Sequence, residues 1–201
     1  DNPILRMRYS LTVGIAVIIG FALIFMPDKS SRALSSVENH WQQNGSQIEQ
    51  IDIDALAMKM FDDMASLQII DVRSASDFEQ AHIPFAVNVP YEKLISAQWR
   101  KFLSSGEKTN IFYGADSETA LKAALLSIEL GDNRNAEILK GGFETFNTGL
   151  MTFTECCASP DLSSEVIKFR SNARLKLEEL AAKASNQPAP VKEVRKVKGG
   201  C

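Results

Sequence analysis

The sequence predicts a three-layer α/β domain with a central, mainly parallel sheet, carried by one N-terminal transmembrane helix and followed by a C-terminal helix with a flexible tail. Three features predict it: an uncharged apolar run, short apolar runs that alternate with helix-like stretches, and a late change to a Glu-, Lys- and Ala-rich helical pattern. With 201 residues, 45% of them apolar, the chain is long enough for one well-filled core. We therefore expect one folded domain with attachments at both ends.

The composition excludes two classes of protein. A net charge of −3 provides no overall basic field, so we expect no nucleic-acid partner. The cysteines, Cys156, Cys157 and Cys201, are too few and too late in the chain for the disulfide framework of a small secreted domain. Because their number is odd, at least one thiol is free, paired between chains, modified or bound to something.

The apolar run covers residues 9–26, YSLTVGIAVIIGFALIFM, and contains no charge. At about 1.5 Å per residue, such a helix nearly crosses a hydrocarbon layer of about 30 Å. Pro27, Asp28 and Lys29 then make further burial in lipid costly. We expect a single-pass membrane anchor within residues 1–30, with membrane lipid as the partner of residues 9–26.

Two alternatives to a membrane span are a cleavable signal peptide and a buried core helix. The apolar run exceeds a usual signal-peptide core, and helices inside small domains rarely stay uncharged over five turns. Orientation is less determined, because Arg6 and Arg8 before the span nearly balance Lys29 and Arg32 after it. The short N-terminal flank favours an extracytoplasmic position for the folded domain.

The remaining chain divides into four parts. Residues 31–46 are predicted to be a linker helix, in which Val37 and Trp41 share a face and Trp41 packs on the domain, on a partner or near the headgroups. Residues 47–150 form the folded domain. Residues 151–186 contain Cys156, Cys157 and a predicted helix at 162–184, and residues 187–201 are a flexible basic tail ending in Gly-Gly-Cys.

Within the domain, strand and helix patterns alternate, which predicts βαβ units and a parallel sheet covered on both faces. Asp54 is the predicted cap of the first helix. The predicted strands are 48–53, 67–70, 86–89, 111–113 and 137–139, and the predicted helices are 54–64, 91–103 and 118–130. In the C-terminal helix an apolar stripe must lie on the domain or on another chain; it consists of Val166, Phe169, Ala173, Leu177 and Leu180.

Two segments resemble the signatures of the rhodanese-like domain family. Residues 69–90, IIDVRSASDFEQAHIPFAVNVP, resemble the first signature, and residues 139–146, LKGGFETF, are similar to the second, with Phe146 where the family usually has Trp. The resemblance covers roughly residues 48–150 and implies the rhodanese-like fold. We interpret the motif residues as structural; they are Asp71, Arg73, His82, Pro84, Gly141 and Gly142.

The resemblance also locates the loop in which active rhodaneses carry a nucleophilic cysteine. There the loop amides and the helix dipole stabilise the thiolate. In this chain the corresponding position is Gly114, and the loop that follows has two carboxylates and no Arg or Lys; it comprises Ala115, Asp116, Ser117, Glu118 and Thr119. Asp116 can cap the next helix with its own side chain. We therefore expect no catalytic residue here and no sulfurtransferase or phosphatase chemistry.

Two functional hypotheses follow. The first is a catalytically inactive, membrane-anchored binding or scaffold subunit of a larger membrane complex, without cofactor. The second is a sulfur-carrier or thiol-redox protein that uses Cys201 together with Cys156 or Cys157 in place of the missing loop cysteine. A metal site is not expected, because no fourth ligand stands at a recognisable spacing from the three thiols.

Overall fold

The computed structural model describes residues 29–44, 47–104, 107–131 and 135–185. The predicted membrane span, the C-terminal tail and Cys201 lie outside these residues. Within the described ranges, no helix combines the length and apolar character that a membrane crossing needs.

The described chain alternates helices and strands in the order that the sequence predicts. The strands are β1 (Glu49–Ile51), β2 (Leu67–Asp71), β3 (Val87–Asn88), β4 (Thr109–Tyr113) and β5 (Ala136–Leu139). The α-helices are α1 (Lys29–Asn44), α2 (Ile53–Asp63), α3 (Ala75–Gln80), α4 (Ala97–Leu103), α5 (Ser117–Glu129), α6 (Gly142–Phe146) and α7 (Ser164–Ser185).

The five strands form one sheet in the order β1-β5-β4-β2-β3, and all of its pairs are parallel. Apolar side chains cover both faces: Ile70 and Phe112 belong to one buried cluster, and Ile69 and Ile111 belong to the other. Helices α1, α4 and α5 cover the first face, whereas α2, α6 and α7 cover the second. The predicted α/β fold with a central parallel sheet is therefore confirmed.

Two of the predicted element boundaries are wrong. Asp52, and not Asp54, caps α2, because Asp52 has extended backbone and its side chain accepts a bond from the Ala55 amide. The helix predicted over residues 91–103 is broken into a 3-10 turn, Tyr91–Lys93, and helix α4. The extended backbone of Ser96 separates the two pieces (φ −74°, ψ 143°).

Helix α1 has the length of the predicted linker but begins and ends two residues earlier, and it packs directly on the domain. Ala33 and Val37 are 6% and 3% exposed, and Trp41 contacts the same cluster. At the start of α1, the Lys29 ammonium donates a 2.7 Å bond to the Leu130 carbonyl, and later the Lys122 ammonium lies 5.0 Å from the Trp41 ring centroid. Helix α1 therefore runs antiparallel to α5, and its apolar face is covered by its own domain.

The apolar stripe of α7 also lies on its own domain. Ala173 and Leu177 are buried, and Phe169 and Leu180 pack against the same cluster. The Arg170 guanidinium forms an ion pair with Asp54 of α2 at 2.8 Å. A partner of α7 would therefore meet the polar outer face of this helix.

Candidate functional site

The loop that corresponds to the rhodanese active site begins where β4 ends and leads into α5. Gly114 follows Tyr113, the last residue of β4, and Ala115 and Asp116 complete the connection. The carboxyl ends of parallel strands meet at one edge of a sheet, which is where ligand sites form in open α/β folds. The loop is thus in the expected position, but residue 114 is glycine, which has no thiol.

Asp116 occupies the amide groups at the start of α5. Its carboxylate accepts a 2.8 Å bond from the Thr119 amide, and its backbone is extended, as an N-cap requires. The bonds from Thr119 hold the pKa of Asp116 below its usual value. A bound anion would need the same amide, so the protein's own carboxylate competes with any anionic substrate at this helix terminus.

The loop is closed from the other side by the segment that opens α6. The Gly141 amide donates a 2.7 Å bond to the Ser117 hydroxyl, and the Phe143 amide donates a 2.9 Å bond to the Gly114 carbonyl. Gly142 has a φ of +69°, and a Cβ atom there would lie 2.5 Å from the Ala115 carbonyl oxygen. Close packing of the two loops therefore requires glycine at residue 142.

A side chain at position 114 would meet Thr119. A Cβ atom built on Gly114 would lie 3.0 Å from the Thr119 Cβ and 3.3 Å from the Asp116 carbonyl oxygen. The backbone of Gly114 has no positive φ. Crowding by α5, and not backbone strain, is thus what a cysteine would have to overcome at this position.

A buried ion pair supports the loop from β2. Asp71 is fully buried, and Arg73 donates to both of its carboxylate oxygens, with the shortest distance 2.6 Å from Nη2. The Arg73 guanidinium carbon also lies 3.8 Å from the Phe143 ring centroid. Burial, and secondarily Asp71, raises the pKa of Tyr113 well above its usual value, so this phenol stays neutral. The cluster joins β2, β4 and α6 into one support.

His82 and Pro84 lie in the turn between α3 and β3. The His82 Nδ1 is 2.8 Å from the Phe78 carbonyl oxygen, and the two rings stack with centroids 4.0 Å apart. Ala86 donates to the Ile83 carbonyl, which closes a turn with Pro84 and Phe85 at its centre; Phe85 has a φ of +63°. His82 thus bonds backbone and stacks on a ring beside the turn that contains Pro84.

The charge beside the loop is balanced more closely than the sequence suggests. Lys122, one turn into α5, pairs with Glu118 at 2.9 Å and lies 3.8 Å from Glu38 of α1. The bond to Glu118 raises the pKa of Lys122. The loop itself has no Arg or Lys, and the nearby Lys122 is already neutralised by two carboxylates.

Cys156 and Cys157 are not part of the loop but follow α6 in the chain. Cys156 is exposed in a 3-10 turn, Glu155–Cys157, that the Glu155 carboxylate connects to Ser171 of α7 at 2.7 Å. Cys201 lies outside the described residues. Within the described ranges, no three His, Cys, Asp or Glu residues are grouped as a metal site would need.

Sequence reasoning missed the residues that fix the loop through long-range contacts. Tyr113 accepts a 3.2 Å bond from the Ile83 amide, and Phe143 supports Arg73. A tyrosine that closes an otherwise apolar strand was a usable signal, because a buried phenol needs a polar partner. No local pattern identifies Ser117, since its partner Gly141 is 24 residues away.

Replacing Asp116 with Ala is expected to lower the free energy of unfolding by about 1 kcal/mol at neutral pH, because the amide cap is lost. The pKa of Asp116 is lower in the folded protein than its ordinary value. Its charge therefore stabilises the fold above the ordinary carboxyl pKa, and this contribution disappears as the pH falls through the lowered value. Urea unfolding at neutral and acidic pH measures the difference; a gap between the two proteins that widens in acid contradicts the assignment.

Comparisons with known proteins agree with the geometry. The family model of the rhodanese-like domain matches residues 54–148. A putative sulfur carrier protein, YrkF of Bacillus subtilis, is 41% identical over 51 residues, which are 25% of this chain and 27% of that protein. The match thus spans about a quarter of the curated relative's length.

Solved structures with a similar fold include two bacterial proteins. A protein of unknown function and possible tyrosine phosphatase from Rhodopseudomonas palustris is 20% identical, with a TM-score of 0.47, over 61% of this chain and 94% of its own. A rhodanese-like domain of a protein from Anabaena is 22% identical, with a TM-score of 0.44, over 57% and 89%. With a parallel five-stranded sheet, both signature segments and a family match over residues 54–148, this chain contains a domain of the rhodanese-like family.

Proposed function

We propose that this chain is a catalytically inactive rhodanese-like protein, anchored in a membrane by residues 9–26, that acts as a binding or scaffold subunit of a membrane protein complex. The observation that carries the proposal is the closed loop at Gly114. Asp116 occupies the Thr119 amide at 2.8 Å, and a side chain at residue 114 would meet Thr119 at 3.0 Å. For sulfur transfer, this loop therefore lacks a nucleophile, the Thr119 amide is already occupied, and a side chain at residue 114 would be crowded by Thr119.

Contacts from the rest of the domain hold the loop in place without a bound substrate. The loop is held by Gly141 and Phe143 at the start of α6, and the Asp71–Arg73 pair supports it from β2. A closed, rigid edge of this kind suits a surface that another protein recognises, because little side-chain freedom remains to be lost on binding. The uncharged run at 9–26 supports placement at a membrane.

A sulfur-carrier function is the alternative, and two observations favour it. Cys156 is exposed next to the domain, so a sulfur donor can reach it. The curated relative that shares 41% identity over 51 residues is described as a putative sulfur carrier. In this alternative Cys156, Cys157 or Cys201 would take the sulfur that the loop cannot hold.

One experiment separates the two functions. The purified full chain, given thiosulfate and cyanide, is expected to produce no thiocyanate above the protein-free rate, and its mass is expected to stay unchanged. The Gly114→Cys variant is also expected to be inactive, because Asp116 still fills the amide cradle and Thr119 still crowds the position. The readouts are thiocyanate absorbance and intact-protein mass.

Three results decide against the scaffold proposal. Turnover that persists after Cys156, Cys157 and Cys201 are all replaced by Ser would show that the loop itself is active. A gain of one sulfur atom in mass that these replacements abolish would favour the carrier. A chain that leaves its native membrane in mild detergent as a single species, with no other subunit, would contradict a role in a complex.

A further inference from the structure

The described structure starts close to the end of the apolar run in the sequence. Helix α1 begins at Lys29, three residues after Met26 closes that run. The Lys29 ammonium donates a 2.7 Å bond to the Leu130 carbonyl, and Ala33 and Val37 are buried against the sheet's first face. The start of α1 is therefore held at the C-terminal end of α5.

Two cations of α4 lie at the same place. Arg100 and Lys101, in the last turn of α4, line a shallow recess together with Leu130 and Gly131. Helices in βαβ units run opposite to the strands, so the ends of α4 and α5 lie at the amino edge of the sheet. Within the described ranges, no carboxylate forms an ion pair with Arg100 or Lys101.

We name this patch the basic corner; it consists of Lys29, Arg100 and Lys101. Glu129, in the last turn of α5, is its acidic neighbour, and Glu107 and Lys108, which carry opposite charges, stand next to each other in the sequence before β4. The acidic pair at the amino edge, Asp62 and Asp63, belongs to α2 in the opposite layer. Positive charge is thus concentrated on the layer from which the anchor leaves.

We infer that the basic corner rests on anionic phospholipid headgroups, so that the amino edge of the sheet faces the bilayer and the closed loop at Gly114 faces away from it. The inference rests on the membrane anchor of the proposed function. The short stretch of chain between the apolar run and Lys29 brings these cations to the membrane surface. Each cation near an anionic leaflet strengthens attachment to the membrane by about fivefold. The 13 residues of α5 rise about 20 Å, so the loop lies that far from the corner.

The arrangement has a consequence for the partner. A protein that recognises the closed loop would meet it at about 20 Å above the headgroups, clear of the lipid. The inward-facing side of α1 is already covered by the domain, and Lys122 joins it to α5 through Glu38 and Trp41. The domain and α1 therefore move as one body on the anchor.

A matched pair of labels tests the inference. Ser104, at the end of α4, and Ser76, which follows β2 at the opposite edge, are both exposed. Each is changed to Cys in the full chain with Cys156, Cys157 and Cys201 replaced by Ser, labelled with a fluorophore, and placed in nanodiscs of phosphatidylcholine alone or mixed equally with phosphatidylglycerol. Headgroup-bound quenchers are expected to dim the Ser104→Cys label at least about twofold more than the Ser76→Cys label in the anionic discs.

Charge variants show whether the cations cause the contact. The double variant Arg100→Gln, Lys101→Gln is expected to remove most of the difference in quenching between the two labels. Discs of phosphatidylcholine alone are expected to have the same effect. Lys93→Gln with Lys140→Gln, two exposed lysines that follow strand ends at the other edge, is expected to leave it unchanged.

The outcomes separate the inference from the anchor. If alkaline carbonate extracts the chain from the membrane, the proposed membrane anchor is wrong. Two results would overturn the inference while the chain stays integrated in the membrane. One is equal quenching at both labels; the other is a difference in quenching that does not change with lipid charge or with the Arg100 and Lys101 substitutions.

Discussion

Replacing Arg73 with Met is expected to lower the free energy of unfolding by about 3–5 kcal/mol, because it leaves the Asp71 carboxylate buried without its cation. Asp71 is fully buried and the Arg73 side chain is 9% exposed, so water cannot take over the lost bonds. The change also removes the guanidinium that contacts Phe143 and the Ala81 carbonyl. Urea unfolding of the full chain in mild detergent, followed by circular dichroism, measures the loss.

The matched control is Arg174→Met on α7. Arg174 pairs with Glu178 at 3.1 Å, but the two side chains are 40% and 57% exposed. Solvent screens such a pair, and the variant also loses the 3.2 Å bond from Arg174 Nη1 to the Phe153 carbonyl, so the control is expected to cost about 1–2 kcal/mol. Equal losses in the two variants would mean that the Asp71–Arg73 pair does not support the fold as described.

Gly142→Ala is expected to lower the free energy of unfolding by about 2–4 kcal/mol. One part of the cost is the backbone, since alanine is strained at a φ of +69°. The larger part is the clash, because the new Cβ would lie 2.5 Å from the Ala115 carbonyl oxygen and 2.8 Å from that of Gly114. The same unfolding measurement applies, and loosening of the loop should raise the hydrogen exchange of the Phe143 amide.

Gly131→Ala separates the two contributions. Gly131 also has a positive φ, +87°, but the atom nearest to its built Cβ is the Lys29 Nζ, at the end of a long side chain and 3.3 Å away. This control is expected to show the backbone cost alone, about 1–2 kcal/mol. If both glycines cost the same, the loop at Gly114 is not packed against α6, and the closed-loop argument loses its main support.

The fold could be predicted because its signals are local and mutually consistent. Short apolar runs such as Leu67–Asp71 are buried on both faces, and the two signature segments stand in order at both ends of the domain. The helix cap at Asp116 was predictable for the same reason, since an N-cap bonds an amide three residues away. The cap of α2 was misplaced by two residues because Asp52 and Asp54 are both suitable cap residues.

The sequence by itself determined the domain type, the glycine at position 114 and the capping carboxylate that follows it. Only the tertiary structure decided that the loop is closed. Ser117 bonds Gly141, and Gly114 bonds Phe143, over sequence separations that a local pattern does not connect. It also decided that the apolar stripes of α1 and α7 are covered by their own domain. Periodicity shows that such a face must be buried but not against what, since the hydrophobic effect depends on the area removed from water and not on the partner that removes it.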